Sequence, residues 1–414
     1  MHPHPHGGRD APPAVVAPRA RRALTALVLA VLLAAGAGVA ATWPQRVPSA
    51  DTAYTGAETV RGRVSATTAR TCAGGLAEDR LPDGTVPQEV ECPEAAVALD
   101  GGGTAVVTVP PAVFHGGLGA GDRVVLSRYP GEAGAAPTYV WEDVDRRAAL
   151  AVAVAVFVLL TVAVGGRRGL AALAGLALGG AAIAFHVLPA LLAQEDPVAV
   201  GLSSATVVMG VVLYLTHGVS VRTTVAFLGT VAGLVLTAGA AVLAVDAAGL
   251  QGLGDEESYT VTLLTGALDL RGVVLAGTLV AALGLLNDVT ITQAAAVWEL
   301  RGADPAAGSR ALFAAGMRVG RDHLASTVYT VAFAYAGAAL PALLLVRLYS
   351  QPLGQWVTSS AIAEEVVRTA VGGAALAVTV PVTTALAAAL VSRAVPAGAA
   401  PGPPGPTRWA GRAG

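Results

Sequence analysis

AALAVAVAVFVLLTVAV, residues 148–164, opens the tract whose reading decides the fold. It carries no charge, and Thr161 is its one polar side chain. At 1.5 Å per helical residue, such a run approaches the ~30 Å hydrocarbon core of a bilayer. Similar runs follow almost without pause to residue 393, and their hydropathy predicts helices at about 148–164, 169–190, 198–216, 223–245, 271–289, 323–346 and 366–392. Upstream, Arg19, Arg21 and Arg22 precede another apolar run, which predicts a first transmembrane helix over 23–43 and eight spans in all. A cleavable signal peptide is the alternative for that run. Its length, beyond the usual 7–15 apolar residues, favours a retained anchor.

Composition agrees with a membrane chain. Of 414 residues, 54% are hydrophobic and 13% charged, and mean hydropathy is +0.63. Soluble domains carry about a quarter charged residues. The charges that exist crowd into residues 51–147 and into short gaps between apolar runs, so one module faces water. The chain contains no lysine, which excludes a phosphate-binding loop ending in Gly-Lys-Ser/Thr. It also lacks His-Glu-x-x-His and Gly-x-Ser-x-Gly. We therefore expect neither an enzyme nor a cofactor or metal centre, and a net charge of −2 gives no case for nucleic acid.

The charged module, 51–145, alternates short β-rich pieces with turn signals. The pieces are Thr59–Ala66, Ala96–Leu99, Ala105–Val109, Arg123–Arg128 and Thr138–Trp141, with turns at Pro82-Asp83-Gly84, Gly101–Gly103 and Gly119–Asp122. This spacing predicts a small barrel or sandwich, an OB-like barrel being the expectation. Both cysteines, Cys72 and Cys92, lie in it, and an extracytoplasmic location predicts a disulfide between them.

Alternate gaps carry opposite signs. Arg167 and Arg168, Arg222, then Arg301, Arg310, Arg318 and Arg321, then Arg393, Arg408 and Arg412 share one side. Glu195 and Asp196, then Asp246, Asp255, Glu256, Glu257 and Asp269, then Glu364 and Glu365 take the other. Positive charge inside puts both termini in the cytoplasm of a bacterial plasma membrane. Residues 1–22 and 394–414 read as disordered tails, and His2, His4 and His6 in the first make no ligand set. His186 and His217 read as interfacial histidines, Pro341 and Pro381 as helix kinks. Gly175–Gly179 and Gly229–Gly233 are small-xxx-small pairs that let helices approach.

Ionisable groups inside membrane helices cost about 2.5–3.5 kcal/mol at a helix centre and so invite a functional reading. Two segments qualify: GLLNDVTITQAAAVWELRG, Gly284 to Gly302, and GMRVGRDHLASTVYTVAFAYAG, Gly316 to Gly337. Asn287 and Asp288 end a fully apolar stretch; Arg321 and Asp322 stand at the mouth of the next expected helix. Counted from Arg271, Asp288 falls about 26 Å along its helix, in the inner third of the bilayer. It is either a helix-end cap or a protonatable carrier. Arg321 and Asp322 are either a positive-inside flank or part of the same site. Glu299 and Arg301 suit a short cytoplasmic amphipathic helix.

The second segment, with Gly316-Met317-Arg318-Val319-Gly320-Arg321-Asp322 leading into a Thr-rich helix and Ala334-Tyr335-Ala336-Gly337, resembles the YibE/F family of bacterial membrane proteins over roughly 145–393. The resemblance implies a multi-spanning plasma-membrane domain, here 148–393, and no established activity. A fainter similarity in order, from Gly284 to Gly337, is to SecF-like and other RND-type export proteins, which couple protons through a membrane carboxylate; here that would be Asp288. The expected function is a transporter or export accessory, proton-coupled or gated through Asp288, Asn287, Arg321 and Asp322, acting on a small molecule or ion. The alternative is a non-transporting envelope scaffold or sensor whose outer domain binds a protein partner. Besides the lipid bilayer, an envelope protein or a homo-oligomer is the expected partner. A transporter should gather Asn287, Asp288, Thr290, Arg321 and Thr327 around one cavity; a scaffold should leave them apart.

Overall fold

The computed structural model describes residues 17–47, 57–75, 84–131, 136–254, 256–265, 268–348 and 358–393, with residues 81, 352 and 354. His2, His4, His6, Pro82, Asp83, Asp255 and the segment 394–414 with Arg408 and Arg412 lie outside them. The chain forms two compact units, residues 49–164 and residues 1–48 with 165–414.

In the first unit, β1 (Glu58–Thr68), β4 (Glu94–Leu99), β5 (Thr104–Thr108), β6 (Arg123–Tyr129) and β7 (Thr138–Val144) make an antiparallel sheet in the order β5-β4-β1-β6-β7. The two edge strands, β5 and β7, touch each other. A five-residue helix, α2 (Pro111–His115), joins β5 to β6. Alternation builds the sheet: β5 reads exposed-buried-exposed, and its inward residues join Val64, Ala95, Val97, Val124 and Leu126 in one core. All five β-rich pieces of the sequence became strands. Gly102 and Gly103, at φ 91° and 89°, turn the chain between β4 and β5 in a conformation that side chains with a Cβ resist.

Two further short strands, β2 (Thr71–Ala73) and β3 (Glu89–Glu91), pair with each other. Beside them Cys72 and Cys92 form a disulfide, with Cα atoms 5.8 Å apart and a sequence separation of 20. Closing a loop of that size is worth about 3 kcal/mol in the unfolded-chain entropy account. Peptide mapping without reductant should return the two cysteines linked, and Cys72→Ser with Cys92→Ser should hasten proteolysis of the sheet. Two free thiols would remove the bridge.

The second unit is helical. Its elements are α1 (Pro18–Ala41), α4 (Leu188–Leu192), α5 (Pro197–His217), α6 (Val221–Ala248), α7 (Glu256–Thr265), α8 (Leu270–Ala303), α9 (Ser309–Ala338), α10 (Leu340–Leu348) and α11 (Ser360–Val391). The helix α3 (Arg147–Ala182) begins in the first unit and runs through a π-helical turn, Ile183–Val187, into α4. Among the described residues six helical stretches are long and apolar enough to cross a membrane: α1, the 46 residues Arg147–Leu192, α5, α6, α8 and α11. They mark a multi-pass membrane protein.

The difference from eight spans has two sources. Residues 147–192 count as one stretch, although Gly166, at φ 54° and ψ −133°, breaks it where the sequence placed a gap. The expected span 323–346 takes another form: α9 starts at Ser309, includes Arg318, Arg321 and Asp322, and ends at Ala338. Pro341 then stands in the first turn of α10, two residues past Ala339, where the helical run is interrupted. Pro381 does lie inside a helix, α11.

The helix expected to end at 289 continues to Ala303, so Glu299 and Arg301 sit on α8 and not on a separate amphipathic helix. Ala294, Ala295 and Ala296 are strong helix formers. Gln293, Ala294 and Val297 also keep one buried face packed beyond Asp288. Asp288 therefore stands mid-helix, and the helix-end cap falls away.

Packing relies on small residues. A Cβ on Gly229 would stand against Thr383 Oγ1, and one on Gly233 would be 2.6 Å from Thr379 Oγ1, so the backbone of α6 rests directly on threonine side chains of α11. Helix α1 joins the unit in the same way: a Cβ on Gly38 would lie 2.9 Å from Ser203 Cβ. Its end is fixed by His186, buried in the π-turn, whose ring nitrogens lie 3.2 Å from Thr42 Oγ1 and 2.8 Å from Ser204 Oγ while Trp43 stacks on the ring. That histidine is a structural clamp.

Candidate functional site

The level of each side chain follows from how α8, α9 and α11 pack. After Arg368, α11 has no ionisable residue over its last 23 positions, 369–391, about 35 Å of helix. At one end Arg368 lies beside Gly277 of α8. At the other, Val391 packs with Val297 and Leu312. Midway, Leu376 and Val380 share a cluster with Leu286 and Val289. Asp288 lies between those last two. Counting from Arg271 placed it toward one end; packing against α11 places it at the middle of the charge-free stretch.

Helix α9 brings more charge to that level. Gly316 and Gly320 face inward: a Cβ on Gly320 would lie 2.7 Å from Val380 Cγ1 and 3.0 Å from Gln293 Oε1, and one on Gly316 2.9 Å from Val297 Cγ2 and Thr384 Cγ2. The residues that follow turn outward. Arg321 and Asp322 are exposed, as is Arg318 one turn earlier. His323 Nε2 stands 3.6 Å from Asp288 Oδ2, and the Asp288 side chain is 65% exposed.

A second polar line runs inside the bundle. Thr290 Oγ1 lies 2.7 Å from Thr230 Oγ1 of α6. The buried Gln293 amide donates to Gly316 O at 2.7 Å and to Thr384 Oγ1 at 2.8 Å, tying α8 to α9 and α11. Asn287 Oδ1, Thr379 Oγ1 and Thr383 Oγ1 are enclosed with no hydrogen-bond partner among the described residues. Thr327 donates to the His323 carbonyl within α9. The expected constellation thus divides: Asn287 and Thr290 face inward, Asp288 and Arg321 outward with Asp322, Thr327 bonds within its own helix, and the five residues expected around one cavity do not line one.

Sequence reasoning missed Gln293, whose signal was its place on the i, i+4 line Val289, Gln293, Val297. It also missed Arg368, the guanidinium partner of Glu365, which lies 6.0 Å from the centre of the Tyr335 ring. Tyr335, Glu365 and Thr369 are the polar lining of an otherwise apolar opening of about 390 Å³ between α9 and α11. Among the described residues no group of three or more His, Cys, Asp or Glu could hold a metal ion.

A helical membrane unit with charged side chains midway along its packed helices defines the class. Residues 153–393 match the family model described as YibE/F-like protein, and the chain belongs to the YibE/F-like family. No curated protein and no solved structure matches it. The Gly-Met-x-x-Gly-Arg-Asp stretch has a physical reading here: two glycines admit Gln293, and the Arg-Asp pair points away from it.

Proposed function

We propose that this protein is a transporter, or an export accessory, of a bacterial plasma membrane, with Asp288 as its coupling or gating carboxylate and His323 as that group's partner. One observation carries the reading: Asp288, Arg321, Asp322 and His323 share the level at which α11 is free of charge. Taken as the bilayer interior, that level makes charge costly unless it is paired or hydrated, and such residues mark ion and proton pathways. The inner line of Thr230, Thr290, Asn287 and Thr383, with hydroxyl and amide oxygens left over, supplies polar contacts a moving ion or molecule could use.

In this reading the chain crosses the membrane eight times. The stretch Arg147–Leu192 crosses twice about Gly166, and α9 with α10 supplies the span absent from the six. Both termini are cytoplasmic, and α1 is a retained anchor, supported by its Thr42–His186 contact. The sheet unit is extracytoplasmic. Its strand order, the helix between β5 and β6 and the meeting of its edge strands suit an OB-like Greek-key barrel. A periplasmic-activity reporter inserted at Gly117, an open turn at φ 101°, should be active. Cytoplasmic activity there would reverse the topology.

The scaffold or sensor reading rests on two observations: Asn287, Asp288, Thr290, Arg321 and Thr327 do not line one cavity, the outcome expected of a scaffold, and the sheet unit has a recess of about 190 Å³ lined by Arg70, Glu91 and His115 among others. A comparative export screen separates the two. A deletion strain should retain a compound that the complemented strain exports; identical export profiles would favour the scaffold.

A further inference from the structure

The outward charges of α8 and α9 pose a problem that the described residues of one copy do not solve. Arg321 and Asp322 make no side-chain hydrogen bond or ion pair among the described residues, and Arg318 reaches only its own helix, at Ala314 O. Asp288 has His323 beside it at 3.6 Å and remains mostly exposed. Lipid gives such groups no partner. Over residues 148–164 this chain offers none either, since Thr161 is the one polar residue there.

We propose that the α8–α9 face is an interface with a second copy of this chain, in which Asp288 meets Arg321 of the partner subunit. The face carries two carboxylates, Asp288 and Asp322, and two guanidinium groups, Arg318 and Arg321, so it complements itself. A two-fold axis along the membrane normal preserves height and sets α8 against the partner's α9. Heights then match: Asp288 is level with His323, and Arg321 is two residues away, about 3 Å along the helix. Two copies of the ion pair form, one on each side of the axis. Further along α9, Tyr329 and Phe333 are 55% and 72% exposed and continue the Asp322–Ala325 line at helical spacing. Aromatic side chains beside a paired charge are what the core of an interface uses.

The interface rests on the level of the charges and not on transport. The test is cysteine crosslinking of the full chain in its own membrane, where Cys72 and Cys92 are already bonded to each other. Ala325, exposed one turn from Arg321, becomes cysteine. Ala325→Cys copies should crosslink to each other, while Val235→Cys, exposed on α6, should not. Asp288→Arg or Arg321→Asp should cut the crosslinked fraction at least tenfold, and the two together should restore it. Asp288→Asn and Arg321→Gln serve if a reversal blocks insertion, and each should weaken the crosslink. An Ala325→Cys chain that stays monomeric, that crosslinks only to another protein, or that ignores the charge changes would overturn the interface. A chain that crosslinks as expected yet exports nothing would remove the transport reading and leave the interface standing.

Discussion

Gly320→Val should remove most of the protein from the membrane. At this position α9, α8 and α11 meet, and a Cβ would stand 2.7 Å from Val380 Cγ1 and 3.0 Å from Gln293 Oε1. Overpacking of this kind costs about 1–3 kcal/mol. Moving Gln293 aside would also leave the Gly316 carbonyl and the Thr384 hydroxyl without its amide, and a buried group left unpaired costs about 1–3 kcal/mol more. The sum is a large part of the 5–15 kcal/mol that holds a typical protein folded. Membrane abundance and the detergent melting temperature read the effect. Gly284→Ala is the control, because nothing lies within 4 Å of a Cβ placed there and alanine favours helix. Full abundance and unchanged melting for Gly320→Val would mean that α9 does not pack on α8 and α11 through this glycine.

That packing also explains what the sequence made legible. Strands β1 and β4 to β7 were readable because inward and outward residues alternate over a half-buried sheet. Strands β2 and β3 were not: each has three residues, none buried, and they lie beside the Cys72–Cys92 bridge. Apolar runs announced most spans, since hydropathy is a local property. The hairpin of α8 and α9 was misjudged because its helices outlast their apolar stretches, and what carries them further is the packing of Gln293, Val297, Leu312 and Gly316.

The site divides in the same way. Asp288 was legible as a lone acid closing an apolar run, and Arg321-Asp322 as charge inside a recognisable motif. The height of Asp288 was not, because it depends on the register of α8 against α11, fixed by Leu286, Val289, Leu376 and Val380. Nor was its outward direction, which separates it from Asn287 next door. Glu365 was legible only as part of an acidic gap while the helix was expected to begin at 366; α11 begins at Ser360 and sets it one turn from Arg368, its partner.

The central claim is that Asp288 carries function and that the fold of a single copy does not need its charge. Within one copy its side chain is 65% exposed, and its nearest ionic neighbour is His323 at 3.6 Å, so little packing there depends on its charge. Asp288→Asn keeps shape and volume and removes the ionisable oxygen. It should insert and accumulate like the natural chain while export falls to the level of the deletion strain, and Asp288→Glu should recover part of it. The measurement is complementation of the deletion strain, with membrane abundance of each variant taken from the same cells. Abundance retained and export lost is the result this account predicts. Full export from Asp288→Asn at equal abundance would contradict it.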